Sequence, residues 1–105
     1  MEKCKEYQEL IQRLGYLRMK KRLSARELSL RLEHSESYYF RMESGKIELS
    51  CNQLFKVLEV LETTPEELFY YDIEKYPEDK ELLSLLKTMT KEDKQAVVHL
   101  LSKKK

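Results

Sequence analysis

The sequence predicts an all-α protein, a five-helix domain followed by a C-terminal helical pair. Apolar residues recur at three- and four-residue steps along most of the chain, the spacing of one buried helix face. Ser or Thr repeatedly stands three positions ahead of Glu, Gln or Asp, the signature of a helix start. Gly and Pro number only two each in 105 residues, a scarcity that argues for helices joined by short turns. No segment shows the alternation of a half-buried strand.

The elements follow in order. Tyr7, Leu10, Ile11, Leu14 and Leu17 mark one face of a first helix that stops near Arg22. Ser24 and Glu27 form a capping box for the second, with Leu23 and Leu28 as its hydrophobic staple. Leu28 and Leu32 continue the buried stripe. Ser35 caps a third helix that runs to about Ser44, with Tyr39 and Met42 inside and Gly45 where a helix end favours a left-handed residue. His34, just before it, is expected to pack beside Tyr39. Ser50 and Gln53 open a fourth helix carrying Leu54, Phe55, Val57, Leu58 and Leu61. Thr64-Pro65-Glu66-Glu67 opens a fifth, with Pro at the first helical position.

Tyr76-Pro77 reads as the domain boundary, because the residue before Pro resists helix. Residues 1–76 form one domain and 77–105 an extension. Leu82, Leu83, Leu85, Leu86 and Met89 suggest a sixth helix. Thr90 and Asp93 cap a seventh, with Ala96, Val97, Leu100 and Leu101 on its apolar side. Lys103 to Lys105 make a short basic tail, expected to fray.

The net charge is only +1, but it is unevenly spread. Met1–His34 holds nine bases and five acids, and Ser35–Tyr76 four bases and nine acids. One end suits phosphates and the middle does not. Cys4 and Cys51 lack CxxC spacing and no secretory signal precedes them, so they read as reduced thiols of a cytoplasmic protein. No apolar run approaches the roughly 20 residues of a membrane span. His34 and His99 lie far apart and have no metal-ligand spacing with the cysteines. Phosphate loops, nucleophile elbows and HExxH motifs are absent. The expectation is a protein that is not an enzyme and uses neither metal nor cofactor.

Two short helices joined by a very short turn, the second ending at Gly, suggest a helix-turn-helix. At residue level, Leu17 to Phe69 resembles the Xre family, the Cro- and cI-like phage repressors. The stretches that carry the resemblance are LRMKKRLSARELSLRL, SESYYFRMESGK and LSCNQLFKVLEVLETTPEELF. The resemblance implies sequence-specific binding of double-stranded DNA by a homodimeric transcriptional regulator. Paired recognition helices would then read half-sites about 34 Å apart.

By resemblance, Ser35 to Glu43 is the recognition helix. Glu36, Ser37 and Arg41 match base-reading positions. Arg41 would donate two hydrogen bonds to a guanine edge, and Glu36 would accept from a cytosine amino group or else repel phosphate. Ser24, Ser35, Ser44 and Lys46 suit phosphate contact. Tyr38 and Phe40 stand where the family is small or polar. They would meet a phosphate oxygen and a thymine methyl, or pack on a partner protein. Arg18 and Glu43 match a structural ion pair between the first and third helices.

Three positions depart from the family pattern. Ala25 replaces a phosphate-binding Gln, Glu33 a turn Gly, and Ser29 a small Ala. The rival expectation is a protein-interaction module, antitoxin-like or partner-binding, on the same scaffold. The C-terminal helices are the expected dimerisation segment.

Overall fold

The computed structural model describes residues 3–103, and Lys104 and Lys105 of the basic tail lie outside them. The described chain is helical without a strand. Its helices are α1 (Lys5–Lys20), α2 (Ala25–Arg31), α3 (Tyr38–Glu43), α4 (Cys51–Val60), α5 (Pro65–Leu68), α6 (Tyr76–Thr88) and α7 (Lys91–Ser102). A 3₁₀ turn, Ile73–Lys75, precedes α6. The chain divides into two compact units, Met1–Ile73 and Glu74–Lys105.

The first unit closes around one core. Leu14 and Leu17 of α1, Leu28 of α2, Tyr39 and Met42 of α3, Val57 and Leu58 of α4, and Leu68 of α5 are all buried there. Tyr7, Leu10 and Ile11 pack half-buried against it, as the α1 stripe predicts. Of the apolar residues that α4 carries, Phe55 is exposed, because the helix turns Val57 and Leu58 inward.

Local chemistry sets the helix starts. Ser24, Ser50 and Thr64 accept hydrogen bonds from the amides of Glu27, Gln53 and Glu67, at 3.0, 3.1 and 3.2 Å. Each satisfies an amide that the helix itself leaves free. The reciprocal half of the first two boxes is missing: the Glu27 carboxylate pairs with Arg31, and the Gln53 amide turns to His34.

The helix ends share one device. α1, α2, α3 and α4 each finish in a Schellman motif. The amides of Leu23, His34, Lys46 and Thr63 donate to the carbonyls of Arg18, Ser29, Arg41 and Leu58. The left-handed residues at these ends are Arg22, Glu33, Gly45 and Glu62, at φ 59°, 61°, 83° and 53°. Only one is Gly. A side chain in that region costs on the order of 1–2 kcal/mol, so Glu33 is strained where the resemblance places Gly.

Two boundaries differ from the sequence expectation. The third helix begins at Tyr38, not just after Ser35. The Tyr38 amide bonds the Ser35 carbonyl at 3.0 Å. Residues 35–37 thus form a tight turn, and no side chain of that turn caps the helix. At the other boundary, Tyr76 is already helical and Pro77 lies in the first turn. There the missing Pro N–H would have had no partner in the helix anyway.

In the second unit, α6 half-buries Leu83 and Leu86 and exposes Leu82 and Leu85. Thr90 caps α7 by accepting from the Asp93 amide at 3.1 Å. Every residue of α7 is exposed, including Val97, Val98, Leu100 and Leu101.

Candidate nucleic-acid interface

α3 has only six residues, and a helix that short does not hold itself together in water. Its inner side explains how it persists. Tyr39 and Met42 are fully buried. The Tyr39 amide, one of the free donors of the first turn, donates to Ser29 Oγ at 2.8 Å. The Ser29 hydroxyl in turn donates to the Ala25 carbonyl at 2.8 Å. Ser29 of α2 therefore caps α3 from across the turn, a task that Ser37 at the usual cap position leaves undone.

Arg18 secures the other end of α3. Its Nε and Nη2 meet Glu43 Oε2 and Oε1 at 3.2 and 3.3 Å, and Nη1 donates to the Leu23 carbonyl at 2.8 Å. One guanidinium thus joins the end of α1 to α3 through a forked pair, and it lies 5.8 Å from the Tyr39 ring centroid. The side chains are only 16% and 21% exposed, so each charge depends on the other. Gly15 belongs to the same contact: a Cβ there would meet Glu43 Oε2 at 3.3 Å. The Tyr39 hydroxyl is buried without a hydrogen-bond partner among the described residues. Burial first, and Glu43 second, hold its phenol well above the ordinary range, while Arg18 opposes them.

The outer side of α3 is different. Ser37, Phe40, Arg41 and Ser44 fall at helical spacing and are all exposed. Phe40 is 58% exposed, an apolar ring facing outward. No ion pair among the described residues engages Arg41. Ser44 ends the helix, its hydroxyl donating to the Arg41 carbonyl at 3.2 Å. Lys46 follows, exposed.

Tyr38 and Glu36 have other neighbours. The Tyr38 ring stacks on His34, with centroids 3.9 Å apart and planes 13° from parallel. It is half-buried against the core, and burial, with Tyr7 second, raises its phenol. His34 therefore packs on Tyr38 rather than beside Tyr39, and its Nε2 meets the Gln53 amide nitrogen at 3.1 Å. Glu36 Oε2 accepts from Arg26 Nε at 3.1 Å, in a pair 67% and 65% exposed. Ser24 and Ser35 are exposed at the start of α2 and of the turn.

The structure thus brings Glu36, Ser37, Phe40, Arg41, Ser44 and Lys46 onto one short segment and turns Tyr38 partly inward. The sequence did not reveal the roles of three residues. Ser29 and Arg26 act on partners ten positions away. Arg13 of α1 donates to the carbonyls of Leu68 and Tyr70 and so fastens the end of α5. A Ser on the buried stripe of α2 was the one visible signal.

Two helices held at a Schellman turn, the second locked inside and open outside, define a helix-turn-helix domain. The profile of the helix-turn-helix family matches residues 14–68. The chain belongs to this family, the Xre, Cro and cI-like helix-turn-helix proteins, whose domain is a DNA-binding regulatory one. No curated protein and no solved structure matches the sequence. Among the described residues, no helix is long and apolar enough to cross a membrane.

Proposed function

We propose that the protein is a cytoplasmic transcriptional regulator that binds double-stranded DNA sequence-specifically. The turn at residues 35–37 and α3 enter the major groove, and promoter occupancy blocks or recruits polymerase. The observation that carries this reading is the division of α3: its inner side is tied to α1 and α2, while Ser37, Phe40, Arg41 and Ser44 are exposed outside. Arg41 reads a guanine edge, a contact worth about 1–3 kcal/mol of discrimination. Phe40 faces a thymine methyl, and Ser24, Ser35, Ser44 and Lys46 meet the backbone.

The test is enrichment of sequences from a random duplex pool, followed by affinity at two salt concentrations. Specific binding should weaken with salt, as counterion release requires. Arg41→Ala should lose roughly tenfold in affinity for the enriched sequence and lose preference at one guanine. Equal affinity of the two proteins for enriched and random DNA would refute the reading.

We also propose that the protein is a homodimer assembled through its second unit. The support is an apolar surface left uncovered on α7, since exposed apolar patches of this kind mark association sites. Leu101→Glu should convert a dimer to a monomer in sedimentation. A dimer that survives this change would place the interface elsewhere.

A further inference from the structure

The ion pair between Arg26 and Glu36 lies at the edge of α3 that the proposed function turns toward DNA. It links the first turn of α2 to the turn before α3. Only Arg26 Nε and Glu36 Oε2 are used, at 3.1 Å. A guanidinium carries five N–H donors and a carboxylate two acceptor oxygens. The pair therefore still offers four donors and one whole acceptor oxygen to an outside molecule.

Electrostatics gives that arrangement a consequence. Duplex DNA carries one negative charge per roughly 1.7 Å of axis. A lone carboxylate brought against it is repelled, and a carboxylate already paired with a guanidinium is not. The planar fork of Arg also fixes the direction of its partner. The outward acceptor suits a cytosine amino group, the donor that a carboxylate reads in the major groove.

We infer that Arg26 is the positioning residue for base reading by Glu36. It cancels the charge of that carboxylate at the DNA surface, aims its free oxygen at a cytosine, and keeps its own spare N–H groups for a phosphate. This rests on the DNA-binding reading above and names the base that the turn selects. Arg26 and Glu36 act as one neutral hydrogen-bonding unit, and removing Arg26 leaves Glu36 as a repulsive charge.

The experiment is a double-mutant cycle on duplexes enriched from a random pool by the wild-type protein. Affinities are measured for wild type, Arg26→Ala, Glu36→Gln and the double variant, with each base in turn at every enriched position. Both side chains are exposed, and circular dichroism checks that the variants fold. Arg26→Ala should lose more than tenfold in affinity and lose the cytosine preference at one position. Glu36→Gln should lose that same preference with a smaller loss of affinity. The double variant should bind more tightly than Arg26→Ala alone. Additive losses, with the cytosine preference intact in Arg26→Ala, would overturn the inference and leave Arg26 a simple phosphate contact. Enrichment of sequences with no cytosine preference that Glu36→Gln removes would overturn it too. If the wild-type protein enriches nothing, the DNA-binding reading itself falls, and this inference falls with it.

Discussion

The two sides of α3 obey different rules. Inside, nearly every polar group has a fixed partner: Ser29 holds the first turn, and Arg18 and Glu43 lock the last. Outside, Phe40 and Arg41 are exposed, with Arg41 free of ion pairs among the described residues. A helix too short to stand alone is made rigid by its inner contacts, and that rigidity lets the outer side chains be presented in fixed register. Changes on the inner side should therefore act on stability, and those on the outer side on binding with stability nearly intact.

The largest effect should come from Arg18→Ala. It strands the Glu43 carboxylate in a mostly buried place and also removes a donor to the Leu23 carbonyl. A loss of about 3–5 kcal/mol is expected in urea denaturation. Replacing both partners by apolar residues, Arg18→Met with Glu43→Leu, should lose much less, because no unpaired charge is left. If Arg18→Ala lost under about 1 kcal/mol, the pair would behave as an exposed surface bridge and the inner side would not be the anchor of α3.

Ser29→Ala should rank second. It restores the residue type that the resemblance leads one to expect, yet it removes the acceptor for a buried amide. The expected loss is about 1–3 kcal/mol. The Tyr39 amide should also exchange its hydrogen faster, which distinguishes a lost cap from general loosening. An unchanged exchange rate would show that another group satisfies that amide.

What the sequence revealed divides along the same line. Starts at Ser24, Ser50, Thr64 and Thr90 were legible because donor and acceptor lie three residues apart, within one helical turn. The start of α3 was misplaced at Ser35 because its cap comes from Ser29, ten residues away. The end of α1 near Arg22 was legible only from the Ser24 start that follows it, and the end at Glu62 carries no local mark: the usual sign is Gly, and both are strained side chains instead. At Glu33 only the family pattern pointed to a left-handed turn. The outward residues Ser37, Phe40 and Arg41 could be named from the resemblance. The pairing of Glu36 with Arg26 could not, since it depends on how α2 and the turn pack together.

The smallest effect at neutral pH belongs to Tyr39→Phe, and it is the sharpest test of how dry the inner side is. The hydroxyl it removes is buried and has no partner among the described residues. Stability near pH 7 should therefore change by under about 1 kcal/mol, because no hydrogen bond is broken. Alkaline pH separates the two proteins. Burial raises the Tyr39 phenol above its ordinary value of 10.0. Below that value the hydroxyl is protonated in both the folded and the unfolded chain, so its contribution is complete and constant. Above it, the unfolded chain ionises first, and the wild-type protein loses stability with each further rise in pH. The Phe variant has no such group at this position. Thermal denaturation from pH 8 to 11 should show the two melting temperatures parallel at first, then the wild type falling below the variant. Curves that stay parallel throughout would mean that water reaches this hydroxyl, and that the inner side of α3 is more open than its contacts imply.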